Sequence, residues 1–267
     1  MPRDSGTELK LAQDWRETEA DAESLLLDDI AGTESDTTSI HDASRAFKES
    51  TDKSQRPGRI VTKGQIQIHT RAAHDLFYGR KSDRENGVVQ IVGLVMFASL
   101  TNQLITLCRE DDPYAEAVLI KIEKLLSDLE NRVDELKAQF EGVLQQVEGM
   151  EIGFHASVRP ISLPISFASP YGFIAARCLV KFDRVFLHAY SAKHAGLISQ
   201  NAWHESIIRT RASFRNLFQL AKHYRFAGVT RDDLAANNAK ARDAIEKYGE
   251  LPESILTGTQ RSRFARS

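Results

Sequence analysis

The sequence predicts a mainly α-helical protein that carries one short β-ribbon. Three observations predict this fold class: a heptad pattern of apolar residues over 119–147, apolar helical patterns on both sides of it, and one short alternating segment at 64–71. The chain has 267 residues, of which 42% are hydrophobic and 27% charged. This composition is typical of a globular domain and predicts a single helical domain around the ribbon.

The N-terminal region differs in composition from the rest of the chain. Residues 1–57 carry 7 Lys and Arg against 14 Asp and Glu, and Trp15 and Phe47 are their only aromatic residues. Such a segment buries too little apolar area to offset its ordering entropy, although 19–30 has the pattern of a transient helix. We therefore predict a disordered acidic extension over 1–57, a helical domain over 58–256 and a basic tail over 257–267.

The first elements of the domain are predicted to be a strand and two helices. Ile66 and Ile68 alternate with polar residues within RIVTKGQIQIHT (59–70), which is the period of a strand with one buried face. A short helix is predicted over 72–78. After a polar turn, Asn86-Gly87 is predicted to open a second, strongly apolar helix that ends near Arg109.

The longest predicted helix begins at Asp112, a suitable N-cap, followed by Pro113 at the first helical position. Its apolar residues recur at alternating spacings of 3 and 4: Leu119, Ile122, Leu126, Leu129, Val133, Leu136, Phe140, Val143 and Val147. This seam over four heptads has two interpretations. It forms a dimerising or antiparallel coiled coil, or it packs within a helical bundle of its own chain.

The second half of the chain is predicted to contain an extended segment and three helices. Residues 152–169 alternate in polarity but include Pro160 and Pro164, which restrict a strand to edges or bulges. Two helices over 170–195 and 199–225 are predicted to join at Gly196. A final helix is predicted from Thr230, which has an acidic residue three positions later, to Gly249.

No motif of an enzyme or of a metal site occurs in the sequence. It has no HExxH, no glycine-rich phosphate loop and no GxSxG, and Cys108 and Cys178 lie too far apart for a zinc knuckle. The pairs at 111–112 and 232–233 are predicted to cap helices. We therefore predict no catalysis, no cofactor or metal, no small-molecule substrate, and two reduced core thiols.

The chain is predicted to be a cytoplasmic protein with no membrane contact. Its densest apolar stretch, 87–107, is interrupted by polar residues at 90, 99 and 101–103, and its first residues lack the apolar core of a signal peptide. The formal net charge of −2 hides a strong asymmetry, because residues 152–267 carry 17 Lys and Arg against 8 Asp and Glu. The basic half suits a polyanionic partner, or else its charges pair with the acidic front of the chain.

The alternating segment has the chemistry of a DNA-reading ribbon. Two such antiparallel strands, one from each subunit of a homodimer, fit the major groove of double-stranded DNA, and strand–helix–turn–helix is the order of a ribbon-helix-helix module. Outward-facing polar residues would read bases: Gln65, Gln67 and His69. Others would contact the backbone or guanine: Lys63, Arg71 and, at a helix N-terminus, Gly87. A half-buried edge strand has the same pattern.

A second candidate surface for DNA lies on the helix predicted over 199–225. On a helical projection its basic residues fall within about 80° of one another: His204, Arg211, Arg215, Lys222 and Arg225. We predict phosphate contacts from Arg211, Arg215 and Lys222. The alternative is a solvated face that pairs with the acidic part of the chain.

Five segments together resemble a protein family encoded on integrating conjugative elements: LFYGRKSDRENGVVQIVGL (76–94), DDPYA (111–115), SPYGFIAA (169–176), YRFAGVTRDD (224–233) and GELPESIL (249–256). That family is similar to the AcaB-type transcriptional regulators of conjugative plasmids. The resemblance covers residues 58–258. It implies a DNA-binding activator of transfer genes with a ribbon-helix-helix fold, embedded here in a larger helical domain with a long heptad helix.

The resemblance does not identify which strand forms the ribbon. Residues 64–71 fit better than 162–169, because the latter contain Pro164 and present only serine outward. The alternative function, from a different class, is a non-catalytic scaffold of the conjugative transfer machinery that acts through its heptad helix.

Overall fold

A computed structural model of the chain describes residues 64–82, 89–145, 157–224 and 228–265. The acidic extension predicted over 1–57 lies outside these residues, as does the predicted boundary at 57/58. The described part is mainly helical with two small antiparallel sheets, which confirms the predicted fold class. No helix within it is both long enough and apolar enough to cross a bilayer.

The first part of the fold is a strand, a short helix, a hairpin and a longer helix. The bounds are β1 Gly64–Ile68, α1 Arg71–Tyr78, β2 Gly79–Arg80, β3 Ile91–Val92 and α2 Leu94–Arg109. The predicted strand and first helix are thus confirmed. The predicted start of the second helix at Asn86-Gly87 is wrong, because β3 precedes the helix and α2 begins only after Gly93.

Two glycines explain this difference. At Gly93 an added Cβ would lie 2.3 Å from the backbone nitrogen of Gly79, and Gly79 itself has a φ of +70°. The two strands of the hairpin therefore approach more closely than any side chain allows. Gly87, the predicted phosphate contact, lies outside the described residues, and the helix N-terminus assigned to it is at residue 94 instead.

The central part contains the longest helices: α3 Pro113–Gln145, β4 Ile161–Ile165, α4 Pro170–His194 and α5 Gln200–His223. As predicted, Asp112 caps α3, since its Oδ1 accepts hydrogen bonds from the amides of Tyr114 (2.9 Å) and Ala115 (3.1 Å). The turn between α4 and α5 contains Gly196 with a φ of +72°, where glycine carries no steric penalty.

The heptad seam of α3 packs within its own chain. Helices α2, α4 and α5 all pack against α3, and the seam residues are buried in the common core: Leu119, Ile122, Leu126, Leu129, Val133, Leu136 and Phe140. Val143 is only partly buried, and Val147 lies outside the described residues. The seam is therefore the interface between α3 and its neighbours and is not available for a coiled coil with a second chain.

The C-terminal part consists of three short helices: α6 Arg231–Ala235, α7 Ala239–Tyr248 and α8 Glu253–Leu256. The single helix predicted from Thr230 to Gly249 is therefore interrupted. The break lies at Asn237, which has a φ of +44°, and Asn238 caps α7 through a 3.0 Å bond from the amide of Ala241. Thr230 and Asp233 form the predicted capping box.

Both cysteines are free and buried, as predicted. Burial raises the pKa of Cys108 to about 12 and that of Cys178 to about 11. At neutral pH both side chains are therefore thiols and behave as small apolar core residues.

Candidate nucleic-acid interface

The β-ribbon predicted from the sequence is formed within one chain. Strand β1 pairs antiparallel with β4 over five residues, from Gly64 opposite Ile165 to Ile68 opposite Ile161. The expectation that the second strand comes from another subunit is therefore wrong. The two segments that the sequence offers for the ribbon, 64–71 and 162–169, each contribute a strand to it.

The ribbon has one apolar and one polar face. Its inner face joins the main core through Ile66, Ile68, Leu163 and Ile165, while Ile161 at the start of β4 is 49% exposed. The outer face is exposed and consists of Gln65, Gln67, Ser162 and Pro164. In the register Gln65 lies opposite Pro164, and Gln67 lies opposite Ser162. Both strands of a two-stranded ribbon are edge strands, which is why proline is accepted in β4.

The predicted base-reading residues do not all lie together. Gln65 and Gln67 are exposed on the outer face, as predicted. His69 follows the last residue of β1 and is half-buried, and its Nδ1 is enclosed without a hydrogen-bond partner among the described residues. The predicted outward direction of His69 is therefore wrong, because the strand ends at Ile68 and the backbone of His69 is bound to helix α4.

Two arginines lie at one end of the ribbon. Arg71 is exposed and begins α1 just after β1, and the exposed Arg159 precedes β4 by two residues. Because Ile68 pairs with Ile161, the two arginines belong to the same end. Lys63, the cation predicted for the other end, lies outside the described residues. Arg159 was not predicted, since its place depends on which strand pairs with β1.

A buried carboxylate holds the junction between β1 and α1. Asp183 of α4 is 1% exposed and accepts hydrogen bonds from the amides of His69 (2.7 Å) and Thr70 (2.9 Å) and from the Thr70 hydroxyl (2.6 Å). Burial raises the pKa of this carboxyl group, and the same three hydrogen bonds oppose that rise. The N-terminus of α1 is thereby occupied by a protein carboxylate, and the ribbon is fixed relative to α4.

A second buried contact holds the junction between β4 and α4. Ser169, the residue before α4, is fully buried, and its Oγ lies 2.8 Å from the Oγ1 of Thr101 in α2. In the same region Gly172 lies so close to α2 that an added Cβ would be 2.6 Å from the Cβ of Ala98. The β1–α1 junction and the β4–α4 junction are thus both held by hydrogen bonds to buried side chains.

Two of the basic residues predicted on α5, Arg211 and Lys222, contact other elements of the chain, and Arg225 lies outside the described residues. The Arg211 side chain is 11% exposed, and its Nη2 lies 3.6 Å from the Oδ2 of Asp75 in α1. Burial, and then the nearby charge of Arg215, lower the pKa of Arg211 to about 10. Lys222 donates a 2.8 Å hydrogen bond to the Oε1 of Gln90 beside β3. Arg215 is partly buried on the same helix.

A network of buried charges lies where the C-terminal part meets α3. Glu116, with a side chain 2% exposed, accepts hydrogen bonds from Arg231, from Arg261 (3.1 Å) and from the amide of Ser262 (2.9 Å). Arg231 also pairs with Asp111. Its Nε donates to the carbonyl of Ile255 at 3.1 Å. The segment predicted to be a basic tail therefore packs on α3 through residue 265.

Three of the five segments that carry the family resemblance meet in this network. Tyr224 donates its hydroxyl hydrogen to Asp112, and the hydroxyl of Tyr114 donates to the carbonyl of Gly249 at 2.9 Å. Asp111, Asp112 and Glu116 each bond a cation, a hydroxyl or an amide. No cluster of metal-ligating side chains occurs within the described residues. The arrangement is a structural lock between α3 and the C-terminal helices.

The chain is similar to a family of transcriptional regulators. A family model described as transcriptional regulator AcaB matches residues 56–267. Among solved structures, the crystal structure of selenomethionine-containing AcaB from uropathogenic E. coli has 13% sequence identity and a TM-score of 0.49. That match covers 77% of this chain and 100% of that chain. No curated protein matches the chain.

Proposed function

The chain belongs to the AcaB family of transcriptional regulators, and we propose that it regulates transcription by binding double-stranded DNA through the β1–β4 ribbon. The observation that carries the proposal is the exposed polar face of the ribbon, with Gln65 and Gln67 on one strand and Ser162 on the other. The major groove of B-DNA is about 12 Å wide and admits a two-stranded ribbon. No catalytic step is assigned to the chain.

The chemistry of this face suits the reading of base edges. A glutamine carboxamide can pair with adenine through two hydrogen bonds, since its NH₂ donates to N7 and its oxygen accepts from the N6 amino group. Neither strand of the described ribbon carries a charge on its outer face, so its side chains enter the groove without a large desolvation cost. Arg71 and Arg159 stand at one end of the ribbon, where phosphates flank the groove.

The biological setting is proposed from the sequence resemblance alone. Segments such as 76–94 and 224–233 resemble proteins of integrating conjugative elements, so the proposed targets are transfer genes of such an element, and the proposed effect is activation. The protein would act on DNA in the cytoplasm.

The homodimer expected from the sequence stays a prediction. The two features from which it was predicted, a free heptad seam and a ribbon shared between subunits, are not found in the described structure. The heptad seam of α3 is buried against α2, α4 and α5, and the partner strand of β1 is β4 of the same chain. The alternative function of a scaffold that acts through the heptad helix loses support for the same reason. A dimer of this protein would use another surface.

The proposal is tested by recovering fragmented DNA of the host element on the full-length protein and sequencing it. We expect wild-type protein to enrich a defined sequence. A Gln65→Ala/Gln67→Ala double variant should retain binding to DNA but lose preference at the positions contacted by β1, because each glutamine pair with adenine contributes about 1–3 kcal/mol of discrimination.

The matched control is Gln139→Ala, which removes an exposed glutamine from α3. It should enrich the same sequence as the wild type. If the ribbon double variant and this control enrich that sequence equally, the ribbon does not read DNA. If the wild-type protein enriches no sequence, the proposed function itself is wrong.

A further inference from the structure

Each strand of the ribbon is followed along the chain by two helices. Strand β1 is followed by α1 and α2, with the β2–β3 hairpin between them, and strand β4 is followed by α4 and α5. The two strands pair antiparallel over their full length, so an approximate twofold axis relates one strand of the ribbon to the other. We call residues 64–109 the first unit and residues 161–223 the second unit.

The two units interlock. Helices α1 and α2 of the first unit each pack against both α4 and α5 of the second. The strand–helix junction of each unit is bonded to a buried side chain of the other: Thr70 to Asp183, and Ser169 to Thr101. The Arg211–Asp75 contact joins α5 to α1 in the same way. Each unit of the same chain therefore contributes one strand to the ribbon and packs against the other unit.

We propose that a single chain supplies the complete DNA-reading ribbon, so that each ribbon reads an asymmetric base sequence. This inference rests on the proposed function. In a ribbon built from two identical subunits every outer side chain occurs twice and reads two bases related by a dyad. Here each side chain occurs once, and the two strands are chemically different.

The difference between the strands predicts how the sequence is read. Strand β1 presents Gln65 and Gln67, whose carboxamides can each form two hydrogen bonds with adenine. Strand β4 presents the short hydroxyl of Ser162 and the ring of Pro164, which has no donor. The bases beside β1 are therefore specified strongly, and those beside β4 are specified weakly.

The length of the ribbon determines how many base pairs one ribbon contacts, and the asymmetry is measured within that footprint. Five residues at about 3.4 Å each give a ribbon about 17 Å long. With one base pair per 3.4 Å of helix axis, this corresponds to about five base pairs. A dimer formed through another surface would carry two ribbons and would contact two such footprints, each of them asymmetric.

The experiment is selection of binding sites from randomised duplexes by the full-length wild-type protein and by Gln67→Ala, Ser162→Gln and Asn131→Ala. Gln67→Ala should reduce base preference roughly 5- to 150-fold at one position within a five-base-pair footprint. Ser162→Gln should add a preference on the opposite side of that footprint. Asn131→Ala, on the exposed face of α3, should change neither.

Two results would overturn the inference in different ways. A paired loss of preference by Gln67→Ala at two dyad-related positions within one five-base-pair footprint would mean that two chains share a ribbon, and the proposed function would stand. The absence of any selected sequence for the wild-type protein would overturn the inference together with the proposed function. All three substituted residues are exposed, so each variant is expected to fold.

Discussion

Replacing Arg231 with alanine is expected to lower the free energy of unfolding by about 3–5 kcal/mol, because it removes a partner from a buried carboxylate. Arg231 bonds the buried Glu116 and pairs with Asp111. The variant also loses the bond to the carbonyl of Ile255, which ties α6 to α8. For a domain of this size the loss corresponds to a fall in Tm of roughly 6–20 °C, measured by calorimetry.

The control for this prediction is Arg209→Ala, which removes the same charge from an exposed position. Arg209 pairs with Glu205 one turn earlier on α5, and its side chain is 66% exposed. Exposed pairs of this kind contribute about 0.3–0.5 kcal/mol. Equal Tm values for Arg231→Ala and Arg209→Ala would contradict the description of the Glu116 network as a structural lock.

Replacing Asp183 with alanine is expected to weaken both folding and DNA binding. The change leaves two amides and one hydroxyl without their acceptor at a buried junction, at His69 and Thr70. Each orphaned donor costs about 1–3 kcal/mol, so the free energy of unfolding should fall by at least about 3 kcal/mol. Chemical denaturation and duplex-binding titrations on the same preparation measure the two effects.

Two further variants separate the effect of Asp183 on the free energy of unfolding from its effect on the position of the ribbon. Asp134→Ala removes an exposed carboxylate that pairs with Lys181 on the outer side of the bundle, and it should change neither quantity measurably. Asp183→Asn keeps the shape of the side chain but turns an amide donor toward the junction, and we expect a protein that folds with reduced affinity for DNA. Full wild-type affinity in folded Asp183→Asn would contradict the role of this carboxylate in holding the ribbon.

Local patterns predicted most of the helices. The helices from 113, 170 and 200 have long apolar periodicities and clear first-turn signals at Asp112, Pro170 and Ser199. The β2–β3 hairpin was not predictable in this way, because its strands have two residues each and depend on the contact between Gly79 and Gly93. A strand of two residues leaves no alternation to detect.

The candidate site was predictable only in part. Alternation identified Gln65 and Gln67, since one strand suffices to define which side chains face outward. The pairing of β1 with residues 161–165 joins segments almost a hundred positions apart, and no local pattern encodes it. The two interpretations of the heptad helix could not be separated for the same reason, because periodicity gives the apolar face but not its partner.

Charge patterns were the least informative part of the sequence. Arg211 lies on a regular basic stripe of α5, but its guanidinium group forms an ion pair with Asp75 of α1. Asp183 lies between Phe182 and Arg184, and nothing in this local sequence distinguishes it from an exposed charge. Only the fold reveals that its carboxylate is buried and accepts the hydrogen bonds of the junction between β1 and α1. A helical projection ranks faces by polarity and does not show which face meets another element.

The central claim is that the outer face of the β1–β4 ribbon contacts DNA, and site-specific photo-crosslinking tests it most directly. A photoreactive amino acid is introduced at Gln67, at Ser162 and, as a control, at Asn131 on the exposed face of α3. We predict cross-links to the selected duplex from positions 67 and 162 and none from position 131. Cross-links from position 131, with none from either ribbon position, would contradict the claim.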